Sequence, residues 1–210
     1  GLSPEQAMRI EHVFREGVQN DFRKHVVSGL AQVQKAVTLP LEDIYLELGL
    51  IPISSEKDRE QEMAEMLEMP DAHRMEREMR HIEKRVTNAL AENPRLVIVG
   101  KPGSGKTISL KFIALMLAEG SAGASRLGLT APYLPVFVRL ADYAEKLKAD
   151  SSLALETFLL DYIERNYPGA ARQGEFLRLA LDKGGCMILL DGLDEVGDIG
   201  DTQIHGHTLR

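Results

Sequence analysis

Only one cysteine, Cys186, occurs in the chain, which excludes an internal disulfide and fits a reducing cytoplasm. No apolar run approaches the roughly 18 residues a membrane span requires. The N-terminus lacks the charged-then-apolar pattern of a signal peptide. Dense Lys/Arg runs are absent and the formal net charge is −7, so the chain as a whole is not expected to capture nucleic acid or an anionic membrane electrostatically. There is no internal repeat and no low-complexity segment. What is present, 210 residues of which 44% are hydrophobic, suffices for one domain with a sizeable core, or for a core plus a helical appendage.

The periodicity changes character along the chain. Ser3-Pro4-Glu5-Gln6 reads as a helix start, with a hydroxyl cap, Pro in the first turn and Gln placed to close a capping box. Apolar residues from Ile10 through Phe14, Val18, Phe22, Val26, Leu30 and Val33 to Val37 recur at spacings of three or four, which predicts one or two helices over 4–37. Residues 39–53 read as an extended lead-in, 54–70 as a charged linker or lid, and 71–92 as a helix ending at Asn93-Pro94. Beyond that point short apolar runs alternate with helical patterns, the mark of βαβ units. Leu96–Val99, Leu134–Val138 and Met187–Leu190 read as buried parallel strands. Helices are expected at 105–119, about 152–166 and 170–183, with 120–128 as a small-residue loop. These divisions give a helical N-terminal region at 1–53, a charged linker and helix at 54–94, and an α/β core at 95–210.

The run Gly100-Lys101-Pro102-Gly103-Ser104-Gly105-Lys106-Thr107 satisfies G-x-x-x-x-G-K-[ST] in full. Its glycines allow successive N–H groups to curl inward around phosphate oxygens. The following helix adds its positive N-terminal end. Lys106 is then placed to reach the β and γ phosphates and to assist catalysis, and Thr107 to ligate Mg²⁺. Gly100, Pro102, Gly103, Ser104, Gly105 and Ile108 complete the expected nucleotide-contacting run. A chance match in a chain this long arises on the order of once in a hundred sequences, and requiring a flanking strand and helix lowers that further. Later in the chain, Met187-Ile188-Leu189-Leu190-Asp191-Gly192-Leu193-Asp194-Glu195 is an apolar run ending in carboxylates. A strand-tip carboxylate there suits the Mg²⁺ shell, so Asp191 is the expected metal residue. Asp194 or Glu195 could polarise an attacking water.

Taken together, Gly-Lys-Pro-Gly-Ser-Gly-Lys-Thr and apolar-Asp-Gly-Leu-Asp-Glu resemble the NACHT group of signal-transducing STAND ATPases, which includes NOD-like immune receptors and bacterial antiphage proteins. Pro135-Val136-Phe137-Val138-Arg139-Leu140 is similar to the family's intervening strand, and Asp43-Ile44-Tyr45-Leu46 to its adenine-contacting segment. The likeness spans roughly residues 40–196. It implies a three-layer α/β P-loop NTPase fold with a parallel sheet, behind a helical N-terminal region. It also implies ATP and Mg²⁺ as cofactors, adenine contacts near Tyr45 and Leu46, and hydrolytic roles for Asp194 or Glu195, with Glu195 favoured. As partners it implies nucleotide, further copies of the chain on activation, and effector and sensor domains. In that family another strand, carrying a polar sensor, lies between the two motif strands and comes later in the chain. Residues 196–210 hold no apolar run, so the chain is expected to be incomplete there.

Alternative readings are an AAA+-like motor, a small-molecule kinase, or a scaffold that holds nucleotide without hydrolysing it. The Asp194-Glu195 pair argues against a kinase, which needs no water-activating base. His205 and His207 read as part of a mobile tail rather than a metal site. Cys186 reads as a small core residue. Arg139 either reaches a phosphate or simply ends its strand.

Overall fold

The computed structural model describes residues 1–27, 37–50, 84–167 and 172–193. The expected linker at 54–70, the helix over 71–83, Asp194, Glu195, His205 and His207 lie outside them. The protein is mixed helix and strand with a small parallel sheet, compatible with an α/β fold.

Helix α1 spans Pro4–Phe22, and its capping box forms as the sequence predicts. Ser3 Oγ accepts from Gln6 N at 3.2 Å, and Gln6 Oε1 accepts from Ser3 N at 2.9 Å. The expectation of helix through residue 37 fails: β1 (Lys24–Val27) pairs antiparallel with β2 (Val37–Pro40). The β-branched pairs Val26-Val27 and Val37-Thr38 favour extended backbone, and ladder pairing outweighs a helical spacing that continued by coincidence. The lead-in is not wholly extended either, since α2 (Leu41–Ile44) forms one turn. Then β3 (Gly49–Leu50) pairs with β4 (Lys84–Arg85). Helix α3 (Val86–Glu92) ends at Asn93, whose backbone and side chain both donate to Ala89 O.

Helix α4 (Lys106–Ala118) is the centre of the molecule. Residues 113–118 are all buried, so its rear half is surrounded on every side and carries no solvent face. It packs against α1, β5 (Leu134–Arg139) and β6 (Cys186–Asp191). The segment after it is helix α5 (Ser121–Arg126), not the loop its small residues suggested. Helix α6 (Leu140–Ala149), absent from the sequence reading, follows β5 directly. Helices α7 (Leu155–Asn166) and α8 (Gln173–Asp182) match expectation. Strands β5 and β6 are parallel, with Leu134 opposite Cys186 and Arg139 opposite Asp191.

Two apolar segments depart from the buried strands expected of them. Leu96–Val99 forms no strand, and Leu96, Val97 and Val99 are 36%, 75% and 48% exposed. A strand exists only through a ladder partner; none runs alongside this segment among the described residues, and its backbone makes no hydrogen bond to any of them. Strand β6 does form, yet it pairs only with β5 among the described residues. Consequently Leu189 is buried while Ile188 stays 37% exposed. By contrast β5 is buried from Leu134 to Val138, as a two-faced parallel strand should be. No helix of the described residues is long and apolar enough to cross a membrane.

Candidate functional site

The glycine-rich loop runs from Gly100 into the first turn of α4. Gly103 and Gly105 have φ of +77° and +91°, left-handed values that a side chain resists. Gly100 is required for a different reason: a Cβ there would lie 2.9 Å from Ser104 Oγ. Ser104 N closes the turn onto Lys101 O at 3.2 Å. Pro102, Gly103 and Ser104 are exposed. Lys106 curls back over the loop, donating to Gly100 O at 2.7 Å and Lys101 O at 3.0 Å. Its ammonium therefore stands at the loop rather than trailing into solvent. Among the described residues the N–H groups of Gly103, Gly105, Lys106 and Thr107 make no backbone hydrogen bond, as expected at a helix start. Ile108 points inward and packs against the core.

Thr107 Oγ1 donates to Asp191 Oδ1 at 3.0 Å across 84 residues of sequence. The chain brings these two groups together through α4, which seats Thr107 in its first turn, and β6, which ends at Asp191. Gly192, directly after the strand tip, has a left-handed φ of +78°. A hydroxyl and a carboxylate side by side form a hard, oxygen-only donor pair of the type Mg²⁺ accepts. No group of three or more His, Cys, Asp or Glu among the described residues could hold a metal.

The Tyr45-Leu46 segment lies beside the first turns of α4. Tyr45 stacks on Phe112, ring centroids 3.8 Å apart and planes 12° apart. Its hydroxyl and that of Ser109 are buried without well-formed hydrogen bonds. Burial pushes the Tyr45 pKa up, with nearby Ser109 offsetting part of the rise. Leu46 is 85% exposed. The sequence reading overlooked Leu48, whose Cδ2 approaches the Cβ position of Gly105 to 3.5 Å; only its nearness in sequence to Tyr45 could have pointed to it. Arg139 makes a bidentate pair with Asp142, at 2.6 and 3.2 Å. Cys186 is half-buried, and burial pushes its thiol up to about 11. A cleft of about 420 Å³ between α7 and α8, lined partly by Asp161, Glu164, Glu175 and Arg178, holds none of the expected site residues.

No protein-family model, curated protein or solved structure matches the chain.

Proposed function

We propose that the chain binds ATP with Mg²⁺ at residues 100–107 and acts as the nucleotide switch of a NACHT-type STAND protein. The observation carrying this reading is the Thr107–Asp191 hydrogen bond at 3.0 Å. Two motifs far apart in sequence end side by side, and their oxygens suit one cation. The curled loop and the Lys106 ammonium beside it add support, since a triphosphate needs inward N–H groups and a fixed positive charge.

In this account the loop amides and Lys106 hold the phosphates, with Pro102, Ser104 and Ile108 shaping the loop around them. Thr107 and Asp191 hold Mg²⁺, whose contribution when bound is to neutralise charge on the β and γ phosphates. The backbone of Tyr45 and Leu46 borders the base, and Glu195 or Asp194 orients the hydrolytic water. Hydrolysis is slow and serves as a timer. Nucleotide state biases the protein between a closed monomer and an oligomer within the cytoplasm, as required when a ligand prefers one of two conformations. The physiological role is signalling, in immune or antiphage defence.

A fluorescent ATP analogue titrated with and without Mg²⁺ tests the reading. Wild type is expected to bind and Lys106→Ala to lose binding; unchanged affinity in Lys106→Ala would sink the assignment of the loop. A phosphate-release assay tests hydrolysis separately: Glu195→Gln should bind yet fail to turn over.

A further inference from the structure

The far end of α4, opposite the phosphate loop, is held by α1. Arg15 is the only buried Lys or Arg among the described residues. Its Nη1 donates to Leu117 O at 2.5 Å and to Tyr133 O at 3.3 Å, and its Nη2 to Pro132 O at 2.8 Å. Its Nε donates to Glu11 Oε1 at 2.8 Å, which orients the fork and balances its charge. One turn further along α1, Gln19 Nε2 donates to Ala118 O at 2.8 Å. Leu117 and Ala118 close the last turn of α4, where a cation is favoured; Leu117 O also accepts from Gly120 N at 3.0 Å, so the guanidinium adds a second donor to it. Pro132 and Tyr133 lead directly into β5, the strand paired with the one that ends in Asp191.

We propose that Arg15 is a positioning residue for the nucleotide site, and that α1 is thereby coupled to nucleotide binding. The proposal rests on the nucleotide reading given above. Helix α4 is 13 residues long, about 20 Å from end to end, and its rear half is buried among close-packed neighbours. Such a rod moves as a unit rather than bending. Lys106 and Thr107 occupy its first turn, while Leu117 and Ala118, gripped by α1, occupy its last. Arg15 also grips the start of β5, so one side chain sets both the P-loop helix and the sheet that carries Asp191. Releasing the grip lets the loop and Asp191 drift apart; binding a phosphate–Mg²⁺ group that needs both draws the grip tighter. The coupling is reciprocal by thermodynamic necessity. An effector or partner that pulls on α1 therefore reaches the nucleotide without touching it.

The test uses the full chain as wild type, Arg15→Met, Arg15→Lys and Gln19→Leu. Each is titrated with a fluorescent ATP analogue and Mg²⁺ well below the melting temperature of the least stable variant. Amide exchange in α1 is followed with and without the analogue. Arg15→Met keeps the aliphatic stem and removes the donors; it is expected to weaken binding about fivefold or more, the lower end of typical site-to-site coupling. Gln19→Leu should shift binding the same way by less, and Arg15→Lys should fall between wild type and Arg15→Met. Nucleotide should slow α1 exchange in wild type and not in Arg15→Met. If Arg15→Met does not fold, Gln19→Leu and Arg15→Lys carry the same comparison. A merely structural bond lowers the melting temperature, leaves Kd unchanged and leaves wild-type α1 exchange indifferent to nucleotide; that result overturns the coupling alone. Absence of binding by the wild type overturns the coupling together with the nucleotide reading beneath it.

Discussion

Leu96–Val99 and Met187–Leu190 are alike on paper: four apolar residues each, each running into one of the two candidate motifs. In the fold they part company. The second becomes most of β6, pairs along its length with β5 and buries Leu189. The first makes no strand and leaves Val97 three-quarters exposed. The difference lies in the neighbour and not in the segment. An apolar run supplies the capacity to be buried, whereas a strand is a pairing whose ladder must come from elsewhere in the chain. The consequence for the glycine-rich loop is limited, because that loop draws its shape from its own glycines and from α4.

That contrast can be broken by mutation, and the largest effect is expected in β6. Leu189→Ala should destabilise the protein by about 2–5 kcal/mol through lost burial and a residual cavity, measured by urea unfolding. A loss under about 1 kcal/mol would place Leu189 outside the core. A smaller effect is expected at the start of the same strand. The Cys186 thiol has a raised pKa of about 11 in the fold, above its unfolded value, so its contribution is complete below the unfolded pKa. It is lost as pH rises through about 11. Between pH 8 and 10 wild type should therefore lose about 1 kcal/mol more stability than Cys186→Ala. Using the difference between the two proteins removes the partly buried tyrosines Tyr45, Tyr143, Tyr162 and Tyr167, whose pKa values are raised as well. Equal pH profiles would contradict burial of the thiol. The smallest effect belongs to Val97→Thr, within about 0.5 kcal/mol as for an exposed position. A loss above about 1.5 kcal/mol would mean that Val97 is buried, and the contrast between the two segments would collapse.

Much of the candidate site's geometry was legible because its rules are local. A glycine at positive φ, a lysine and a hydroxyl at a helix start, and a carboxylate at a strand tip each announce themselves within a few residues. Their meeting, Thr107 with Asp191, followed from two such signals. The capping box at Ser3, the C-terminus of α3 at Asn93 and the helices α4, α7 and α8 were readable for the same reason. What escaped depended on distant partners. The β1–β2 pairing needed residues 37–40 to compete against a helical pattern at 24–27, and spacing alone cannot weigh that contest. Helix α5 read as a loop because its residues are small. They are small because it packs tightly: a Cβ on Gly123 would lie 1.7 Å from Met116 O. Arg15 drew no expectation, because the carbonyls it meets lie about a hundred residues away; only Glu11, four residues earlier, is a local partner.

The central claim is that Thr107 and Asp191 serve one Mg²⁺–nucleotide site. A double-mutant cycle measures it directly, with the Mg²⁺-dependent gain in ATP-analogue affinity taken for wild type, Thr107→Val, Asp191→Asn and the double variant. Two groups acting on one ion should be strongly non-additive: either single change removes most of the Mg²⁺ gain, and the double variant loses little more. Losses that simply add, or a Mg²⁺ gain that survives both changes, would contradict a shared site.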